Sequence, residues 1–211
     1  CPLILLGHSL GSYMALNVIQ QIEKLKTDVR VSGLVLSGSG YESKWLYRIN
    51  KLIAKIEIFR CGSRASSNIL QKLSFESFNE NFSPTRTGSD WLSRDEHQVD
   101  KYIEDPLCGG APSTKTWFDF MHGMNQIFNS RNLNLIDKKV PIHFISGDKD
   151  PVGRNGKGVV KFKNLLLDAG FKQVTLKLYP ESRHELINDL DRDKVIACLL
   201  YTSDAADEHG C

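Results

Sequence analysis

Pro2-Leu3-Ile4-Leu5-Leu6-Gly7-His8-Ser9-Leu10-Gly11 is the stretch whose reading decides the fold. Leu3 to Leu6 form a continuous apolar run, the pattern of a strand buried on both faces. Gly-x-Ser-x-Gly follows, and Ala15, Val18, Ile19, Ile22 and Leu25 then recur at helical spacing. The five-residue pattern alone is weak, since an ordinary Gly/Ser turn competes with it. The strand before it and the helix behind it predict a nucleophile elbow, a sharp turn that pushes the Ser9 hydroxyl outward. Side chains at Gly7 and Gly11 are expected to collide where strand and helix meet. The helix start brings free N–H groups and a positive dipole end beneath Ser9.

Outward from the elbow, Val31 to Leu36 read as a second buried strand, followed by the flexible loop Ser37-Gly38-Ser39-Gly40. From 41 to 135 the pattern is helical with irregular joints. Leu46, Ile49, Ile53 and Ile56 define an amphipathic helix stopped near Gly62. Ser66 or Ser67 can cap a second helix, and Ser93-Arg94-Asp95-Glu96 reads as a capping box opening a third. Trp117, Phe118, Phe120, Met121, Met124, Ile127 and Phe128 crowd a fourth. Strand and helix then alternate again: a strand over 140–146, a helix over 159–167, a strand over 174–179 and a last helix capped by Asp191. This order predicts an α/β fold with a parallel sheet, the 41–135 block being a helical cap inserted into a core made of 1–40 and 136–197.

Composition narrows the function classes. A chain of 211 residues with 41% hydrophobic and 25% charged residues is long enough for one globular core. No stretch approaches the length of a membrane span. The net charge of +2, with scattered basic residues, makes no case for nucleic acid. Five cysteines without Cys-x-x-Cys spacing argue against a zinc site or disulfide framework, and for a reducing, cytoplasmic compartment. No metal and no cofactor are expected. The end of the chain, 198–211, resembles a translated sequencing adapter and is expected to be read-through, not native sequence.

A serine hydroxyl needs a base, and histidine suits that role because it titrates near neutral pH. His184, in the loop after the last strand, is the candidate. His8 abuts Ser9 but is expected to point elsewhere, and His143, inside a strand, reads as a satisfied core residue. His97 and His122 sit in cap helices, and His209 falls in the tail. Asp150 is preferred to Asp148 as the orienting carboxylate: Pro151 holds it extended, and it lies further from the strand. Asp148 reads as a turn former. Ser9, Asp150 and His184 each follow a strand at its C-terminal end, where ligands bind in such sheets.

Three segments carry a family resemblance: Gly7-His8-Ser9-Leu10-Gly11-Ser12, Ile145-Ser146-Gly147-Asp148-Lys149-Asp150-Pro151-Val152-Gly153 and Leu178-Tyr179-Pro180-Glu181-Ser182-Arg183-His184-Glu185. They resemble the lysophospholipase and monoacylglycerol lipase group of α/β-hydrolases, with which serine-aminopeptidase-like hydrolases are grouped. Asp90-Trp91-Leu92-Ser93-Arg94-Asp95 and residues 100–109 resemble a bacterial branch of it. The resemblance implies Ser9 as nucleophile, Asp150 as orienting acid, His184 as base and the Leu10 N–H as one oxyanion donor. It also implies a larger sheet, of which this chain holds only the C-terminal half. The second oxyanion donor is then expected on an upstream loop, and the fragment alone is expected to be nearly inactive, with its first strand an unprotected edge.

These readings converge on a metal-free serine hydrolase of carboxylic esters acting through an acyl-enzyme. Monoacylglycerol or lysophospholipid-type lipids are the expected substrates, with Trp45, Trp117, Phe118 and Met121 lining an acyl channel. A thioesterase, a small-peptide hydrolase with the same triad and a catalytically dead binding module are the alternatives.

Overall fold

The computed structural model describes residues 2–208, with side chains omitted at 75–76 and from 201 onward. Its sheet has the order β1-β2-β3-β4, made of β1 (Ile4–His8), β2 (Gly33–Ser37), β3 (Ile142–Gly147) and β4 (Val174–Tyr179). All three pairings are parallel, with Leu6 opposite Val35, Val35 opposite His143 and His143 opposite Thr175. Parallel pairing follows from the helical crossovers between strands: α1 (Leu10–Leu25), then the helical block between Lys44 and Leu133, then α8 (Lys157–Asp168).

The side-chain period of two divides the strands between two cores. Leu34, Leu36, Ile142 and Phe144 face α1 and α8, meeting Leu16, Ile19, Val159 and Phe162. Val35, Ile145 and Tyr179 face the other way, towards Leu186 in the turn after β4 and Val195 of the closing helix α9 (Arg192–Glu208). β1 is an edge among the described strands, and its Leu6 is exposed.

Between β2 and β3 the chain builds α2 (Lys44–Cys61), α3 (Asn68–Gln71), a π-helical turn (Lys72–Glu76), α4 (Ser77–Asn79), α5 (Glu96–Glu104), α6 (Thr114–Ile127) and α7 (Ser130–Leu133). Ser43 caps α2, and Ser67 caps α3 by accepting from the Leu70 N–H. The expected capping box at 93–96 is not what opens α5. Asp95 caps that helix through the His97 N–H, because the Ser93 hydroxyl is engaged elsewhere, donating to the Asn188 carbonyl. α2 packs on α6 with Tyr47, Ala54 and Glu57 inside, while Ile56 of the expected apolar face is exposed.

Helix α9 runs unbroken past Ala197 to Glu208. Of the expected read-through tail, the side chains from 201 and the whole of His209–Cys211 lie outside the described residues.

Candidate active site

Ser9 sits between β1 and α1 with φ 52° and ψ −121°, left-handed backbone that a residue with a Cβ adopts at a cost of about 1–3 kcal/mol. The turn is this sharp because the helix backbone lies directly on Gly7. A Cβ there would fall 2.2 Å from the Gly11 carbonyl oxygen and 2.7 Å from Ser12 Cα. Gly11 differs from expectation: a Cβ on it meets nothing within 4 Å, since its backbone carbonyl, not its α-carbon face, is what abuts Gly7. The Ser9 N–H donates to the Ser37 carbonyl at 2.8 Å, tying the turn to the end of β2. Leu10 is the first residue of α1, so its N–H is among those a helix leaves without an internal acceptor.

His184 follows β4 and is 2% exposed. Its Nδ1 lies 3.0 Å from each carboxylate oxygen of Asp150, which is fully buried after β3. Asp150 also accepts from the Val152 N–H at 2.9 Å. Asp148 serves the turn instead, accepting from the Glu181 N–H at 2.8 Å. Gly147 allows the two loops to meet, for a Cβ there would lie 2.0 Å from the Ser182 carbonyl oxygen.

Gly38 floors the site. A Cβ on it would come within 2.9 Å of His184 Cε1 and 3.0 Å of His8 Cε1. His8 therefore does not point away, as expected, but lies against His184 with ring centroids 4.8 Å apart, its Nδ1 3.1 Å from the Ser37 hydroxyl. The reason is the β1 pleat, which directs the residue before Ser9 to the strand ends where His184 arrives. Trp91 covers the imidazole's other neighbourhood at 5.1 Å between centroids. Among the described residues, the Ser9 hydroxyl and the His184 ring share no hydrogen bond; His184 meets the elbow through His8, the residue before Ser9.

The His184 loop is fastened to residues 90–94. The His184 and Glu185 N–H groups donate to the carbonyls of Trp91 (3.4 Å) and Leu92 (2.8 Å). Arg94 bonds Asp189 at 2.9 Å, Asp191 at 2.7 Å and the Ser182 hydroxyl at 3.0 Å. Arg183 donates to the carbonyls of Asp90 and Ser93 and stacks over Phe82 at 4.4 Å. Sequence reasoning found neither this clamp nor the role of His8. The Asp90–Asp95 segment stood out only as a family resemblance, and its partners lie some ninety residues away.

Burial and the adjacent His184 push the His8 pKa from 6.5 down to about 4, against a smaller upward pull from Asp150. An unfolded histidine takes up a proton near pH 6.5 that the folded chain refuses until about pH 4. Stability is therefore complete above that window and lost as pH falls through it. Between about pH 7.5 and pH 4.5, His8 is expected to cost the fold about 2–3 kcal/mol. His143, also lowered by burial and by Lys177, acts in the same direction. Urea unfolding of the parent and His8→Gln at both pH values measures the His8 share, since the variant should lose that much less.

A cavity of about 330 Å³ opens beside Ser9, walled by Leu10, Tyr47, Trp91, Trp117, Phe120 and Met121 among others. Trp45 and Phe118 are not in its wall. Trp45, two positions from Tyr47 and so nearly opposite on α2, is 68% exposed; Phe118 lies under the Lys51 ammonium, 5.0 Å away. His143 bonds Thr175 through Nδ1, and its Nε2 is buried without a partner among the described residues. Among the described residues no group of three or more His, Cys, Asp or Glu side chains is arranged to hold a metal ion.

The family model described as serine aminopeptidase, S33, matches residues 1–191. The chain belongs to this family of α/β-hydrolases. A comparison with curated protein sequences gives no match. Among solved structures, this α/β-hydrolase is similar to a carboxyl esterase from Bacillus coagulans, with a TM-score of 0.83 and 26% identity over 97% of this chain and 65% of the other. A monoglyceride lipase from Saccharomyces cerevisiae gives 0.67 and 21%, over 97% of this chain and 62% of that one. A monoacylglycerol lipase from Paleococcus ferrophilus gives 0.62 and 21%, over 96% and 68%. The two lipases share the fold. The α/β-hydrolase described here thus spans less than two thirds of the length of the esterase to which it is similar.

Proposed function

We propose that this chain carries the catalytic residues of a carboxylic-ester hydrolase, with Ser9 as nucleophile, His184 as base and Asp150 as its orienting partner. The observation that carries the reading is the Asp150–His184 contact, 3.0 Å to each oxygen, with the imidazole packed on His8, the residue before the strained elbow serine. His184 Nδ1–H donates to Asp150, which fixes the tautomer with Nε2 free to accept. Ser9 gives its proton to Nε2 as its oxygen attacks the ester carbonyl, and the Leu10 N–H faces the developing oxyanion. The alcohol departs with the proton from His184, leaving an acyl-Ser9. Water, losing a proton to His184, then releases the acid and restores the serine.

Residues 41–135 act as a cap over this centre, with 1–40 and 136–197 as the hydrolase core. Monoacyl lipids such as monoacylglycerols or lysophospholipids are the proposed substrates. The apolar cavity beside Ser9 supports this, as does the carboxyl esterase activity named for the Bacillus coagulans neighbour. The cavity's volume of about 330 Å³ lies at the small end of the roughly 300–1,000 Å³ of small-molecule pockets, which suits a single acyl chain. Hydrolysis of p-nitrophenyl esters tests this: kcat/KM is expected to rise about tenfold or more from acetate to decanoate, and Met121→Trp to erase the gain. Equal rates at all lengths would refute the acyl-pocket assignment.

A further inference from the structure

Helix α2 has two apolar faces, and the fold uses only one. Tyr47, Ala54 and Glu57 turn inward. On the opposite side Trp45, Leu52, Ile56 and Phe59 are 68%, 57%, 55% and 97% exposed. At 3.6 residues per turn these four fall within about 60° of the circumference and extend about 21 Å along the axis. Leaving so aligned a set of large apolar side chains in water is costly, and a row of this kind marks a contact surface.

The charges beside it identify the contact. Lys44, Arg48, Lys51 and Lys55 form a row along one flank of the stripe. Lys51 is tethered to His122 Nδ1 at 2.8 Å, and no described carboxylate pairs with the other three. The helix has a single acidic residue, Glu57, whose carboxylate is turned inward to Arg60 and to the Ser67 hydroxyl at 2.5 Å. A second copy of the chain would bring the same cations to the contact. A surface of lipid phosphates would neutralise them. No described helix is long and apolar enough to cross a membrane, so α2 would lie in the interface plane.

We infer that the outer face of α2 is a docking surface for an anionic membrane, with Trp45, Leu52, Ile56 and Phe59 entering the headgroup boundary and the Lys44–Lys55 row on the phosphates. This surface does not depend on the chemistry at Ser9, and its test reads binding alone. The 211-residue chain is sedimented with vesicles of about 30% phosphatidylglycerol in phosphatidylcholine, and with phosphatidylcholine alone. Partitioning onto the anionic vesicles is expected to be more than tenfold stronger and to weaken with salt. Tryptophan emission should shift to the blue on binding in the parent, and not in Trp45→Phe. Phe59→Asp, and separately the pair Arg48→Glu and Lys55→Glu, should each cost more than tenfold, since each cation contributes about a factor of five. Leu107→Asp, at a position 93% exposed elsewhere, should change nothing. Three results would overturn the assignment: no binding to anionic vesicles, equal loss in Leu107→Asp, or a concentration-dependent dimer that Phe59→Asp dissolves while vesicles go unbound.

Discussion

Ser9→Ala is expected to bring the ester hydrolysis of the chain down to the uncatalysed background, with the far-UV circular dichroism unchanged. The loss is this large because no other group near the imidazole can form the acyl bond. His8, the neighbouring histidine, has its Nδ1 engaged at the Ser37 hydroxyl, 3.1 Å away. The substitution removes a single oxygen and leaves the elbow's constraint intact, for that constraint comes from the contact of Gly7 with the Gly11 carbonyl. Initial rates on p-nitrophenyl octanoate, compared with the parent, measure the effect. A residual rate within tenfold of the parent would place the nucleophile elsewhere.

Asp150→Asn is expected to remove most of the kcat the chain shows while barely changing the shape of the site. The amide oxygen can still accept from the Val152 N–H. Its NH₂, however, donates towards His184 Nδ1, which moves the ring proton to Nε2 and leaves nothing to accept the Ser9 proton. Asp148→Asn is the matched control. Its partner is the Glu181 N–H, which an amide oxygen serves equally well, so kcat should stay within a few-fold. Steady-state kinetics on both variants separate the two carboxylates. Equal losses would contradict the division of roles drawn from the geometry.

The sheet was legible because its strands are continuous apolar runs, and the proposed triad was picked out because Ser9, Asp150 and His184 stand in loops after three of them. Helix α2 shows where such reading stops. Apolar residues occupy almost every side of it, so periodicity at Leu46, Ile49, Ile53 and Ile56 pointed to one face while the packed one holds Tyr47, Ala54 and Glu57. The same ambiguity assigned Trp45 to the cavity, and the crowded apolar run of α6 assigned Phe118 there. Ser93 was misread for a different reason. Its capping chemistry is local, but the Asn188 carbonyl that takes its hydroxyl arrives only with the tertiary fold. The Arg94–Asp189 pair and the contact of His8 with His184 likewise join residues far apart in the chain, and no local pattern encodes them.

The proposed chemistry requires His184 to make Ser9 reactive. Incubating the chain with an aryl fluorophosphonate and mapping the adduct by peptide mass spectrometry tests that directly. The expected result is one phosphonyl group on Ser9, formed at least a hundredfold more slowly in His184→Ala. Modification at another residue, or labelling of Ser9 at the same rate without His184, would contradict it.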